Sequence, residues 1–457
     1  MPLIRSISGI RATIGDSLLP AQLSDYVAAY AHFLPEGPIT VGRDGRPTGL
    51  WIEKIVSGTL IAMGRQVRIL GVVPTPTVQL LTEKSDAVGG ISITASHNPE
   101  QWNGLKFLNS EGVFLDAAAN EKIFDTVDQA KIQYPDTFEH KIHEVILSDS
   151  IKSHIDAVLS LSILTDQMIE DIAKSNLLYT VDAVNASGSK IVPDLLATLG
   201  IECEPLFCDG SGEFPHTPEP LEANLTELME RMAENKANMG IAVDPDADRL
   251  VLIDENGKAI GEEKTVALSA KAVLESMKGR GIETKGAILT VNLSTSRMID
   301  DVAAEYGAKV ERSPVGEINV VSKMKENGSV FGGEGSGGVI LPECHYGRDS
   351  LVGIVLISSL LTNRARLSGL SDSLPKYEII KEKVEFSGDL KPILEKISKD
   401  ENYKKGKIDK SDGIRIDFED SWVQLRASNT EPIVRMIAEA PTRKAAQKLI
   451  KEIKAFL

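Results

Sequence analysis

The sequence predicts an α/β protein, with three related α/β units followed by a smaller α+β unit. Three observations carry this reading. Short β-branched runs alternate with longer segments of helical spacing over most of the 457 residues. Three stretches end in small polar residues, Ile91-Ser-Ile-Thr-Ala-Ser, Val181-Asp-Ala-Val-Asn-Ala-Ser and Val291-Asn-Leu-Ser-Thr-Ser, which suggests one unit repeated. From about Ser371 onward, strands and helices no longer alternate in that manner. At roughly 150 residues per domain the length implies about three domains, so a single small module is excluded.

In chain order, strands are expected at residues 66–70, 179–184, 241–243, 250–253 and 287–291. A strand that ends in Ser, Asn or Thr and feeds a helix presents hydroxyls and backbone N–H groups at the carboxyl edge of its sheet. Open α/β sheets bind ligands there, although plain helix capping explains any one such ending. In the tail, 378–386, 413–418 and 423–427 read as strands, with a helix near 390–398. A final amphipathic helix carries Ala446, Leu449, Ile450, Ile453 and Leu457 on one face. Polar breaks near 139–150, 254–263 and 367–375 are the expected linkers, and the expected domains are 1–146, 147–254, 255–370 and 371–457.

Lys and Arg number 50 against 66 Asp and Glu, a net charge of −16. Such a balance disfavours a general nucleic-acid or anionic-membrane binder. Cys203, Cys208 and Cys344 cannot close a disulfide framework and suit a reducing compartment. The start, MPLIRSISGIR, has no apolar signal region, and the longest apolar stretch, LVGIVLISSLL from Leu351, is too short to span a bilayer. A cytoplasmic protein, monomeric or homodimeric, is expected.

Four motifs carry chemistry. The first is Thr94-Ala-Ser-His-Asn-Pro-Glu, followed by Asn103-Gly-Leu-Lys106. The Ser96 hydroxyl is a weak nucleophile until a base or a cation assists it; His97 is adjacent and Lys106 returns nearby. The surrounding hydroxyls and amides suit a phosphate better than an acyl group, whereas an unadorned capped turn is the competing reading. The second is Asp244-Pro-Asp-Ala-Asp-Arg249 between two apolar runs. Asp244, Asp246 and Asp248 at alternate positions can converge on one hard divalent cation, with magnesium favoured. A calcium EF-hand loop would need Gly where Arg249 stands, and helices where strands are expected. A solvated acidic turn would leave clustered charge without a counter-ion.

The third motif, Gly332-Gly-Glu-Gly-Ser-Gly-Gly338, contains a formal G-x-G-x-x-G. Val339-Ile340-Leu341-Pro342 follows it in place of a helix, which disfavours a dinucleotide site. Glu334 and Ser336 could instead hydrogen-bond sugar hydroxyls, unless the segment is only a tight turn. The fourth is Arg426-Ala-Ser-Asn-Thr-Glu-Pro with Arg435 beyond it. Two arginines bracketing Ser428, Asn429 and Thr430 make a phosphate nest, or else an ordinary polar hairpin. No G-x-S-x-G, Walker A or H-E-x-x-H sequence occurs, which disfavours the common hydrolases, ATPases and zincins.

In this order the four motifs resemble the α-D-phosphohexomutase superfamily, which includes phosphoglucomutases, phosphomannomutases and phosphoglucosamine mutases. The resemblance spans nearly the whole chain and adds Ser8-Gly-Ile-Arg11, Gly42-Arg-Asp-Gly-Arg46, Phe214-Pro-His-Thr-Pro-Glu-Pro220 and Val315-Gly316. It implies four domains with mixed sheets around a central cleft. It also implies interconversion of hexose 6-phosphates and hexose 1-phosphates, with a sugar bisphosphate as activator and intermediate. By the same resemblance Ser96 is the phosphoserine, and Asp244, Asp246, Asp248 and the seryl phosphate bind Mg²⁺. Arg11 and Lys106 match family residues near the reacting hydroxyl, and His97, adjacent to Ser96, and Arg249 are added to the expected catalytic set. Glu334 and Ser336 select the sugar, and Arg426, Ser428, Asn429, Thr430 and Arg435 hold the distal phosphate.

Two departures stand out. Gly338 occupies a position where many relatives carry histidine, with His345 nearby as a candidate replacement, and Ala12 follows Arg11 where glycine is usual. A glycine at 338 is expected to enlarge the space at the sugar's edge and favour a tolerant site. The expected substrates are glucosamine or mannose phosphates, with phosphoglucomutase activity and non-catalytic sugar-phosphate binding as alternatives.

Overall fold

The computed structural model describes residues 3–135, 144–362, 364–386, 388–427 and 433–457. Among them the strands form four sheets. The first sheet runs Ile4–Ser6, Gly9–Thr13, Trp102–Asn109, Gly89–Ile93, Ile39–Arg43, Val67–Val72 and Glu144–Ile146 in space. The second runs Leu250–Asp254, Met239–Val243, Leu178–Asp182 and Glu202–Phe207, and the third Lys309–Ser313, Ile288–Asn292, Phe331–Glu334 and Gly338–Ile340.

A common four-strand plan underlies all three. In the second unit Leu178–Asp182 pairs in parallel with both Glu202–Phe207 and Met239–Val243, and Met239–Val243 returns through a hairpin to antiparallel Leu250–Asp254. The third unit repeats this with Ile288–Asn292 at the centre and a hairpin from Phe331–Glu334 to Gly338–Ile340. The first does so with Ile39–Arg43 at the centre and a hairpin from Gly89–Ile93 to Trp102–Asn109. The sheets are therefore mixed, as the resemblance implied.

This plan corrects the proposed repeat. The segments after Val181 and Val291 follow the first strand of their units and lead to helices Gly188–Thr198 and Met298–Glu305. The segment after Ile91 instead follows the third strand and enters a hairpin to Trp102–Asn109. Its true counterpart in the first unit is Gly42-Arg-Asp-Gly-Arg46, which leaves Ile39–Arg43 and precedes helix Gly49–Ala62.

Two expected linkers are also structured. Residues 367–375 contain helix Leu367–Ser373, with Leu367 and Leu374 buried, and Lys264 Nζ donates to Ser371 Oγ at 2.7 Å. Serine and glycine content made this stretch read as a break, but its leucines supply a face to bury. Within 139–150, strand Glu144–Ile146 adds to the first sheet beside Val67–Val72, while residues 139–143 lie outside the described residues.

The fourth sheet is wholly antiparallel, in the order Glu378–Glu385, Ile433–Ala440, Trp422–Ala427, Ile414–Asp417 and Lys407–Asp409. Helix Arg443–Lys454 buries Ala446, Ile450 and Ile453, with Leu449 and Leu457 partly covered, as its periodicity predicts. One continuous apolar core joins the second and third units, and a smaller cluster ties Val73, Val78 and Phe114 of the first to Val321, Met324 and Ile340 of the third. No helix among the described residues is long and apolar enough to cross a membrane. The LVGIVLISSLL segment forms helix Ser350–Leu360, almost wholly buried in that core.

Candidate active site

The hairpins between the third and fourth strands of the three units meet. They contain residues 94–101, 244–249 and 335–337, which include three of the four motifs. Ser96 is buried and has a left-handed backbone, φ 51°, unusual for a residue with a side chain. Two supports hold it there. Its N–H donates to Thr94 Oγ1 at 2.8 Å, and Thr94 Oγ1 donates to Asp44 Oδ2 at 2.6 Å. The fully buried Arg46 guanidinium donates to the carbonyls of Ser96 and of Asn98 (2.8 Å), Pro99 (3.0 Å) and Trp102 (3.3 Å), and to Asp44 at 2.9 Å. The Gly42–Arg46 motif, to which the sequence assigned no role, is thus the clamp of the serine loop.

Ser96 Oγ lies 3.1 Å from Asp244 Oδ2 and 3.2 Å from His97 Nδ1. Burial, and then the Arg249 and Arg11 charges, hold the His97 imidazole well below its ordinary pKa, so it is neutral near pH 7. His97 Nε2 and Arg249 Nη1 approach the same Glu219 oxygen at 3.8 and 3.9 Å, which gives the Phe214–Pro220 motif its place beside the hairpins. Arg11 Nη1 donates to Asn98 Oδ1 at 3.2 Å.

Asp244, Asp246 and Asp248 are all fully buried, and one oxygen of each lies within 4.8 Å of the others. Their hydrogen bonds divide the oxygens into two sets. Asp246 Oδ2 accepts from Lys106 Nζ at 2.6 Å and Thr75 Oγ1 at 2.8 Å; Asp248 Oδ2 accepts from Lys106 Nζ at 3.2 Å and Arg348 Nη2 at 2.6 Å. Asp244 Oδ1 accepts from the Arg249 N–H at 3.2 Å. Asp246 Oδ1 and Asp248 Oδ1 are buried with no hydrogen-bond partner, Arg249 Nε standing 4.0 Å from the latter. Two buried acceptors left open beside a third carboxylate fit a divalent cation taking one oxygen from each. Electrostatics agree: burial and its two acidic neighbours push the Asp244 carboxyl well above its ordinary pKa, the mark of a site short of positive charge. Asp248 moves the other way, since Arg348, Lys106 and Arg249 outweigh its burial.

The sugar-loop residue Glu334 is 6% exposed and hydrogen-bonded within the protein through both carboxylate oxygens. Its Oε1 accepts from Asn292 Nδ2 at 2.8 Å and the Gly316 N–H at 3.2 Å, and its Oε2 accepts from Arg348 Nη1 at 3.0 Å. Ser336, on the same hairpin, is half-buried. The space at Gly338 is not open. A Cβ there would lie 2.3 Å from Arg348 Cδ, so the arginine stem fills the volume expected to be vacant. His345 does not replace the histidine either. It is buried against Asp349, Nε2 to Oδ2 3.1 Å, and shares that oxygen with His154 at 2.8 Å. Nothing local in the sequence marks Arg348; it stands ten residues beyond the loop it contacts.

Arg426 and Arg435 are direct partners on adjacent strands, so their side chains share one sheet face. Burial, relieved in part by Asp412, lowers the pKa of Arg426, and the like charge of Arg435 adds to the effect. Ser428, Asn429 and Thr430 lie outside the described residues. The fourth unit also reaches the segment behind the sugar loop, because Asp412 Oδ2 accepts from the Val315 N–H at 3.0 Å, next to the Gly316 that binds Glu334.

Four family models match consecutive parts of the chain. They are phosphoglucomutase/phosphomannomutase alpha/beta/alpha domains I, II and III, at residues 4–133, 152–257 and 262–377, and the C-terminal domain at 384–456. A phosphoglucomutase/phosphomannomutase of Thermococcus kodakarensis is 37% identical, over 90% of this chain and 88% of its own. A protein of Methanopyrus kandleri named "Probable phosphoglucosamine mutase" is 34% identical, over 97% and 95%. Among solved structures, a phosphoglucomutase/phosphomannomutase family protein of Burkholderia thailandensis superposes with a TM-score of 0.83 at 23% identity, covering 99% of this chain and 96% of that one. The phosphoglucomutase parafusin of Paramecium gives 0.78 at 18%, covering 99% and 95%.

Proposed function

The chain belongs to the phosphoglucomutase/phosphomannomutase family and is a phosphohexose mutase, and on that premise we propose how its residues divide the work. Ser96, carrying a phosphoryl group, passes it to the free hydroxyl of a hexose monophosphate. The resulting bisphosphate turns over in the site, and the Ser96 hydroxyl takes back the other phosphate. Hexose 1-phosphate and hexose 6-phosphate are thereby interconverted.

One observation carries this assignment: Ser96 Oγ sits 3.1 Å from Asp244, beside two buried aspartate oxygens that accept no hydrogen bond. Asp244, Asp246 and Asp248, with the seryl phosphate, would hold Mg²⁺, which when bound neutralises the transferring group. Lys106 orients two of those carboxylates and adds a positive charge. Arg11 and Arg249 supply guanidinium donors for the equatorial phosphoryl oxygens, the main need in phosphoryl transfer. Neutral His97 can take the proton of whichever hydroxyl attacks, the sugar's in the first transfer and the serine's in the second, and pass it to the oxygen that leaves. Arg426 and Arg435, with 428–430, bind the phosphate that is not reacting, at either end of the sugar.

For the sugar, Glu334 and Ser336 read hydroxyls. Glucosamine and mannose phosphates are the expected substrates, and because Arg348 balances the Glu334 charge, that carboxylate gives the ammonium of glucosamine no strong advantage over the mannose hydroxyl. Ser96→Ala should abolish turnover and leave sugar-phosphate binding largely intact. Intact-protein mass spectrometry should find one phosphate on the wild-type chain, restored after loss by a hexose bisphosphate. Full mutase activity in Ser96→Ala would refute the assignment. Sugar binding without turnover in the phosphorylated wild type would mark a non-catalytic binding protein.

A further inference from the structure

Arg348 is buried and donates from three separate nitrogens to three carboxylates. Nη2 donates to Asp248 at 2.6 Å, Nη1 to Glu334 at 3.0 Å and Nε to Glu317 at 2.9 Å. Glu317 in turn accepts from Gln79 Nε2 at 2.9 Å, so the network reaches the first unit. Each contact belongs to a different segment: the acidic hairpin of the second unit, the sugar hairpin of the third, and helix Glu317–Asn327. A planar fork spreads its donors over three nitrogens at fixed angles and so reaches three separated acceptors, whereas a lysine offers its three donors from a single point. The fork reaches them only because Gly338 leaves its stem room.

Resting on the mutase reading, we propose that Arg348 is a positioning and specificity-determining residue that couples the divalent-cation site to the sugar site. It holds Asp248 by Oδ2, which leaves Oδ1 turned to the cation site, and it holds Glu334 by Oε2, which sets the orientation of the sugar hairpin. A cation drawing on Asp248 and a sugar drawing on Glu334 then act on one rigid guanidinium. Each should bind more tightly when the other is present, by about fivefold or more, and the effect must be reciprocal. Groups that orient metal ligands commonly alter affinity by about ten- to a hundredfold when removed.

The test uses the full-length dephosphorylated chain, which has no phosphoryl group to transfer. Mg²⁺ is titrated calorimetrically without and with saturating mannose 1-phosphate, and mannose 1-phosphate without and with Mg²⁺. The wild type should show equal coupling in both directions. Arg348→Gln should bring the coupling close to onefold, and in the phosphorylated enzyme it should raise the sugar KM more than it lowers kcat. Affinity for inorganic phosphate at the distal arginines should stay unchanged, which separates this role from general loss of structure. Arg348→Lys should fail to restore the coupling.

Because Arg348→Gln also removes buried contacts, a second variant approaches from the other side. Gly338→Ala crowds the Arg348 stem while keeping its charge, so it should weaken coupling in the wild type and do little in the Arg348→Gln background. Additive effects of the two changes, an uncoupled wild type, or full coupling in Arg348→Gln would each overturn the proposal. Absence of mutase turnover with coupling intact would instead refute the reaction and leave Arg348's role standing.

Discussion

Replacing Glu263 by glutamine should make the protein more stable above pH 7 and change little near pH 4.5. Glu263 opens helix Glu262–Gly279 and is buried behind the sugar hairpin, where a Cβ on Gly335 would touch its carboxylate at 2.3 Å. Its Oε2 accepts from the Ser296 N–H at 2.9 Å, and its Oε1 lies 3.2 Å from Lys381 Nζ of the fourth unit. Burial pushes this carboxyl up to about 7, and Lys381 offsets only part of that. For an acid raised in the folded state, the stabilising contribution is complete below the unfolded value near 4.5 and is lost as pH rises through about 7. The gap corresponds to about 3 kcal/mol at about 1.4 kcal/mol per pKa unit, an upper bound because Lys381 is partly solvated.

Glutamine keeps an acceptor for the Ser296 N–H and never acquires charge. Denaturant midpoints of wild type and Glu263→Gln should therefore converge near pH 4.5 and separate progressively up to about pH 7.5, with the variant higher. The raised pKa of Asp244 gives a slope of the same sign, but it is present in both proteins and cancels in the difference. A variant less stable than wild type at pH 8 would show instead that the Lys381 ion pair outweighs desolvation.

Three further outcomes are expected. Asp246→Asn should weaken Mg²⁺ binding by about tenfold or more, read by calorimetry, because it removes one charged oxygen from a site with two unpartnered buried acceptors. Arg46→Ala should cost about 3–5 kcal/mol by denaturant unfolding and reduce kcat, since it strands Asp44 and several carbonyls of the serine loop. Arg435→Ala should mainly raise KM in a steady-state mutase assay, and a fall in kcat alone would contradict its role at the non-reacting phosphate.

Much of this was legible in the sequence, for identifiable reasons. The runs around 178–182, 239–243 and 250–254 are β-branched and apolar because both faces of their strands are covered. The acidic triplet was legible because its spacing and residue types admit few uses. The repeat was only half legible. Ile91-Ser-Ile-Thr-Ala-Ser resembles the strand ends at Val181 and Val291 in composition, but strand pairing decides equivalence, and pairing is non-local. The 367–375 segment misled because serine and glycine punctuate turns in isolation, while burial of Leu367 and Leu374 depends on a distant core. Arg348 was missed for the same reason. Filling the volume above Gly338 is a tertiary act, and neither residue announces the other along the chain.

The shared strand plan also explains why the site's parts come from three places. In each unit the hairpin after the third strand emerges beside the carboxyl ends of two parallel strands, where side chains can point away from the sheet into a common space. One unit alone could not assemble the chemistry. Three carboxylates on a single hairpin need cations from elsewhere, and Lys106 of the first unit and Arg348 of the third supply them. A serine loop strained to φ 51° needs its own clamp, which Arg46 provides from the first unit's central strand end. The hairpins are then fastened to one another: Ser96 to Asp244 at 3.1 Å, and the Leu250 N–H to the Gly337 carbonyl at 3.1 Å. A shift of the second unit by about one ångström would break both contacts, and a shift of the first or third would break one, so alignment of the units and competence of the site are a single structural condition.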